Sequence, residues 1–170
     1  MLNKQVAALL NEQINKELYS AYLYLDMSNY YADESLNGFE NWFYIQTQEE
    51  RDHAMLFRTY LLNNSEKVTL LPIAQPDITF TDFKAPLTAA LEHEQFVTAS
   101  INNIYAAAYE AKDFRTMQFL DWFVKEQGEE EKNTEDLVKR FELFGNDPKG
   151  LYMLDTELGA RVYAAPSLVL

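Results

Sequence analysis

Residues 65–81 read SEKVTLLPIAQPDITFT. With Pro72 and Pro76 inside it, this stretch is not interior helix, because proline removes an amide donor and clashes with the preceding turn. On both sides of it the apolar residues recur with a helical period, and no alternating strand pattern of comparable length interrupts them. Upstream, about 3–31 carries Val6, Leu10, Ile14, Ala21 and Leu25 on one face, and about 36–64 carries Phe39, Trp42, Phe43, Phe57, Tyr60 and Leu61. Downstream, about 82–112 carries Leu87, Leu91, Val97, Ile101, Ile104 and Ala108, and 114–144 carries Leu120, Phe123, Leu137, Phe141 and Phe144. Within each pair the joint is only a few residues, ADES at 32–35 and the neighbourhood of Asp113, so each pair reads as an antiparallel hairpin. Helices of about 28 residues are about 42 Å long, and a connector of about 17 residues spans more than about 50 Å when extended. Residues 65–81 therefore reach from one end of a bundle to the other and set the third helix parallel to the second. The fold class is all-α: a four-helix bundle with one long crossover. A short fifth helix is expected at 148–158, with Asp147 as its cap and Pro148 in its first position. All of 1–170 reads as one domain.

The bulk composition narrows the partners. There are 27 Asp and Glu against 14 Lys and Arg, a formal net charge of −13. Nucleic acid and anionic membrane are disfavoured, since phosphate surfaces select basic proteins. The chain has no cysteine, which excludes disulfides, thiolate metal sites and cysteine nucleophiles and fits a cytoplasmic protein. The first residues, MLNKQVAALLNEQINKE, are broken by polar residues before reaching signal-peptide length, and no apolar run approaches a membrane span.

The buried seams contain residues that do not belong in an apolar core. Following heptad lines, Glu17 falls between Leu10 and Tyr24, Glu50 between Phe43 and Phe57, and His53 between Gln46 and Tyr60. Glu94 falls between Leu87 and Ile101, Gln127 between Leu120 and Thr134, and Glu130 between Phe123 and Leu137. Their heights agree. Glu17 precedes Asp33 by 16 residues and Glu50 follows it by 17; Glu94 precedes Lys112 by 18 and Glu130 follows it by 18. Any one of these glutamates, taken alone, is ordinarily a partly solvated helix residue, and a lone Glu-x-x-His pair is a weak motif. Four in register, with a histidine and no lysine or arginine on the same lines, are too costly as bare buried charges. A cation resolves the conflict. His93 flanks the seam, where a surface role is expected, and Tyr24 and Trp122 read by default as core aromatics.

Carboxylates with one imidazole and no thiolate suit a hard or borderline divalent ion such as Fe(II) or Mn(II). So many carboxylates suit two ions bridged by a central glutamate, about 3.5–4 Å apart. Taken together, Glu17, Tyr24, the stretch Glu49-Glu50-Arg51-Asp52-His53, Glu94 and the stretch Glu126-Gln127-Gly128-Glu129-Glu130 resemble bacterial non-haem ferritin over essentially the whole chain. The resemblance implies a ferritin-type bundle and a ferroxidase that oxidises Fe(II) to Fe(III) with O2 or H2O2. It also implies ferric mineral stored inside a homo-oligomeric shell of about 24 subunits. On that resemblance Glu17, Glu50 and His53 hold one iron. Glu50 bridges to a second held by Glu94 and Glu130 with Gln127 beside it, and Glu49, Glu126, Glu129 and Glu130 form a third site. Tyr24 is the tyrosine next to the centre, an electron donor or hydrogen-bond partner.

Departures from related families are informative. Symmetric di-iron bundles repeat Glu-x-x-His, whereas the second copy here is Gln127-x-x-Glu130. Asp52 stands where bacterioferritin has its haem methionine, and Met55 lies on another face, so no haem is expected. A di-iron peroxide-reducing or metal-buffering bundle without mineral is the alternative function; the lack of cysteine opposes its rubrerythrin-type form. Gly128 inside the fourth helix costs about 1 kcal/mol relative to alanine, with close packing or local flexibility as the candidate reasons. The apolar tail RVYAAPSLVL at 161–170 is expected to dock on a neighbouring subunit.

Overall fold

The computed structural model describes residues 2–170. Among these the chain forms five helices and no strand: α1 (Lys4–Asp33), α2 (Asn37–Asn63), α3 (Ala85–Glu110), α4 (Phe114–Phe144) and α5 (Pro148–Leu158). Three helices begin on a side chain of their own that accepts orphan amide hydrogens: Asn3 for α1, Asp113 for α4 and Asp147 for α5, where Pro148 occupies the first turn. Three helices end alike. Ser35, Ser65 and Lys112 adopt left-handed φ of 59°, 61° and 53°. The next amide then reaches back five residues, from Leu36 to Tyr31, Glu66 to Leu61 and Asp113 to Ala108. These turns carry no glycine, so each bears the penalty of about 1–2 kcal/mol of a left-handed side-chain residue.

The crossover climbs along α1. Asn11 exchanges two hydrogen bonds with the Thr69 backbone, at 2.9 and 2.8 Å, and the Asn15 amide donates to the Pro72 carbonyl at 3.0 Å. Near the far end of α1, Tyr31 donates to the Phe83 carbonyl at 2.7 Å and Tyr30 meets Phe80 edge-on. The connector thus spans the bundle, and α3 starts at the end where α2 starts.

The core is split. One apolar cluster includes Leu10, Ile14, Phe57, Leu61, Val97, Ile101, Ile104, Phe119, Leu120 and Phe123. The other includes Leu23, Tyr31, Phe39, Phe43, Leu87, Leu137, Phe141 and Leu154. Buried polar residues lie between them, including Gln13, Glu17, Gln46, Glu50, His53, Glu94, Gln127 and Glu130.

The end of the bundle is closed by α5. Helix α2 has no cap of its own, because Leu36 stands at its N-cap. Asp155 supplies one from α5: its Oδ1 accepts from the amides of Gly38 and Phe39 at 2.8 and 3.1 Å. The approach needs glycine, since a Cβ at Gly38 would lie 1.6 Å from the Asp155 carbonyl oxygen. Asp155→Ala is expected to cost about 1–2 kcal/mol in guanidinium unfolding, and Asp155→Asn to keep most of it. Gly38→Ala, which forces α5 off the bundle, is expected to cost more than Asp155→Ala.

Candidate metal centre

Each long helix contributes to the polar layer. Glu17, Glu50, His53, Glu94, Gln127 and Glu130 are all buried, the four glutamates at 1–4% exposure. Ligand atoms of Glu17, Glu50 and His53 lie within 4.8 Å of one another, close enough that the three could hold a metal ion. His53 Nδ1 is 3.5 Å from Glu50 Oε2, and the ring is held edge-on by Trp122 and Phe123. Trp122 is half-buried. Glu17 Oε2 has no hydrogen-bond partner, the one such buried side-chain atom among the described residues.

Glu94 and Glu130 sit beside this trio with neutral donors around them. Tyr24 donates its hydroxyl to Glu94 Oε1, and Gln127 donates its amide to Glu94 Oε2 at 3.0 Å. Gln46 donates to Glu130 Oε2 at 3.1 Å. Tyr24 is thus a buried residue whose polar end faces the layer.

Burial raises the carboxyl pKa values, and neighbouring carboxylates raise them further. Glu17 is pushed well above its ordinary value by burial and then by the charge of Glu50. Glu50 is pushed up by burial, then by Glu94 and Glu130. Glu130 rises to about 8 through burial and then the charge of Glu94. A divalent ion would displace these protons and satisfy the oxygens together.

The residues expected to form a third site are arranged more openly. Glu49 is half-buried and already paired: Arg161 donates to its Oε2 at 2.7 Å and to Gln46 Oε1 at 2.6 Å, with its guanidinium 4.7 Å above the Trp42 ring. Glu126 is half-buried, and exposed Glu129 pairs with Lys125 at 3.3 Å.

Within the chain the tail packs on its own bundle: after Arg161, Tyr163 donates to Asp52, Trp122 donates to Ser167 at 2.9 Å, and Leu168 packs against the core. Two expectations change. His93 is half-buried against α1 and not simply a surface residue. Its line faces α1, where Tyr19 and Tyr24 pack on the ring and Ser20 Oγ lies 2.7 Å from Nε2. Burial lowers its pKa to about 4, so it is neutral at pH 7. Gly128 has no packing reason within the chain, for a Cβ there would meet nothing within 4 Å.

Sequence reasoning missed Gln13 and Arg161. Gln13 is fully buried and donates to Glu17 Oε1 at 2.8 Å. The i, i+4 spacing to Glu17 was its only local signal; Arg161 had none.

The family is visible at this point. Residues 7–144 match the model of the ferritin-like domain. A bacterial non-heme ferritin of Campylobacter jejuni is 41% identical over 155 residues, covering 91% of this chain and 93% of the relative. One of Staphylococcus aureus is 34% identical over 163 residues, covering 96% and 98%. Among solved structures, an engineered closed form of the Archaeoglobus fulgidus ferritin superposes with a TM-score of 0.94 at 38% identity, over 96% of this chain and all of that one. The open-pore ferritin of the same archaeon gives 0.93 at 38% identity, over 95% of this chain. The chain belongs to the ferritin family. Within it the similarity is to the bacterial non-haem ferritins, and iron storage is the function that membership supports.

The raised carboxyl pKa values set a pH dependence. Folded, metal-free protein keeps protons that the unfolded chain loses near the ordinary value of 4.5. Their contribution to stability is complete below that value and is lost as pH rises through about 8 for Glu130. The thermal midpoint of metal-free protein is expected to fall between about pH 4.5 and about pH 8, less steeply in Glu130→Gln. A saturating divalent metal is expected to restore it. Gly128→Ala is expected to raise stability by about 1 kcal/mol.

Proposed function

We propose that this protein is an iron-storage ferroxidase. Fe(II) is the substrate, and it enters the polar layer between the two apolar clusters. Glu17, Glu50 and His53 hold one iron; Glu50 bridges to a second, held by Glu94 and Glu130, with neutral Gln127 beside it. The observation that carries this reading is the set of four buried glutamates and a histidine, drawn from four helices into one layer without a matching buried cation on those helices.

The chemistry follows from the donors. Carboxylates stabilise Fe(III) more than Fe(II), which favours oxidation. Two adjacent irons each release one electron, and O2 takes both with two protons to leave as H2O2; with H2O2 as oxidant, the two electrons and two protons give water. Tyr24, bonded to Glu94, orients that carboxylate and lies close enough to serve as an electron donor. Weaker binding beside Gln127 lets product Fe(III) leave for the interior of a shell, where the mineral grows. Glu49, Glu126, Glu129 and Glu130 form the outer site on that route, which Arg161 now partly occupies through Glu49.

Assembly is supported by exposed apolar side chains on the crossover, where Leu70, Leu71, Ile73 and Ile78 are 40–71% exposed. A homo-oligomer of about 24 copies in the cytoplasm is the proposed form.

The test is aerobic loading of metal-free protein with a large excess of Fe(II), followed by size-exclusion chromatography with iron detection. Abundant iron is expected to elute with a particle far larger than the 19.8 kDa chain. Retention of only about two irons per chain would leave a di-iron catalyst or buffer without storage. Glu50→Ala, which removes the bridge, is expected to lower the initial oxidation rate by at least about 100-fold at equal protein. A full rate in that variant would rule out the two-iron site.

A further inference from the structure

A string of three hydrogen bonds runs from the α1–α3 surface to one oxygen of Glu17. Lys16 Nζ donates to Ser100 Oγ at 2.7 Å, Ser100 Oγ donates to Gln13 Oε1 at 2.7 Å, and Gln13 Nε2 donates to Glu17 Oε1 at 2.8 Å. Gln13 and Ser100 are buried polar residues with no part in the ligand set.

The direction of this string is fixed from its outer end. A lysine ammonium only donates, so Ser100 must accept from it and spend its one hydroxyl hydrogen on the next group. That group is the Gln13 carbonyl, which turns the Gln13 NH2 toward Glu17. Glu17 therefore accepts at Oε1 and cannot rotate freely. Its other oxygen, Oε2, is a buried atom that no amide, hydroxyl or ammonium donor reaches, and it belongs to the residue whose neighbours are the Glu50 carboxyl and His53.

We propose that Gln13, Ser100 and Lys16 act as positioning residues that make Glu17 a one-oxygen ligand. Tethered at Oε1, Glu17 offers only Oε2 to the metal, which leaves a coordination position on the first iron for the oxidant. Released from the tether, the carboxylate turns and can close on the metal with both oxygens. Gln13 then matters to the reaction without touching the iron. The inference rests on the metal-site reading above.

Co(II), a redox-stable stand-in for Fe(II), provides the test, because its visible absorption reports coordination number and geometry. Metal-free protein is titrated with Co(II) as the wild-type chain and as Glu17→Ala, Gln13→Leu, Ser100→Ala and Lys16→Met. Wild type is expected to show a visible band that Glu17→Ala loses or reduces. Gln13→Leu is expected to bind Co(II) about 10–100-fold more weakly, with a less intense band as the coordination number rises. Ser100→Ala should shift both in the same direction by less, and Lys16→Met least. A band of unchanged shape and intensity in Gln13→Leu overturns the proposal whatever the affinity, because Glu17 then meets the metal identically without its tether. Should Gln13→Leu fail to fold, Ser100→Ala decides, and an unchanged band there overturns the proposal equally. If wild-type protein binds no Co(II) at Glu17, the metal-site reading itself falls and this inference falls with it. Loss in Glu17→Ala with no change in Gln13→Leu removes only the inference.

Discussion

Four carboxylates share a layer that water barely reaches, and no buried lysine or arginine of the four long helices lies among them. Leaving several bare charges in such a place costs several kcal/mol per ion even after relaxation. The bundle manages this in two ways. Neutral donors from Tyr24, Gln13, Gln46 and Gln127 hold individual oxygens, and raised pKa values keep protons on the acids. Neither device removes the electrostatic tension among the acids, which is why a divalent substrate is the natural completion of the site. The apolar clusters above and below the layer then have a clear task. They supply the folding free energy that the layer does not, and they hold four backbones rigidly enough to keep the oxygens converged.

The C-terminal arm links the ends of the bundle to the rim of that layer. Asp155 caps α2 at its first turn, and Arg161 on the same arm reaches the Trp42 carbonyl, Gln46 and Glu49 farther down the same helix. Tyr163 then binds Asp52, and Ser167 receives the Trp122 indole N–H. Trp122 in turn packs against His53. The arm supplies the cation that pairs with half-buried Glu49, and it does not reach Glu17 or Glu50. Charge compensation at Glu49 therefore comes from protein, while compensation at Glu17 and Glu50 is left to metal and protons.

Much of this was legible in the sequence because helical periodicity and proline placement are local signals. Pro72 and Pro76 mark the crossover, and the nearly equal distances of Glu17, Glu50, Glu94 and Glu130 from their turns set them at one height. What escaped was non-local or lacked a residue-type signature. Asp155 caps a helix more than a hundred positions away, and Arg161 finds Glu49 only because α5 folds back over the bundle end. His93 was misplaced because the face beside a seam is solvent only when no neighbouring helix covers it, and here Tyr19, Ser20 and Tyr24 of α1 do. The three left-handed turns gave no warning either, since serine and lysine stand where glycine usually marks them.

The two halves of the proposed centre are unequal in a way that bears on how it fills. On one side Glu17 presents an oxygen with no partner, near Glu50 and His53. On the other, both oxygens of Glu94 are already hydrogen-bonded, to Tyr24 and Gln127, and Glu130 holds Gln46. A cation entering the first half gains ligands that have little to give up, whereas one entering the second must exchange existing hydrogen bonds for coordination. Each such exchange offsets part of the gain, because a hydrogen bond to a charged group contributes about 1.5–3 kcal/mol. On the proposed reading the first position is then the tighter and the second the more easily emptied, an ordering suited to the uptake and onward passage of a substrate ion proposed above.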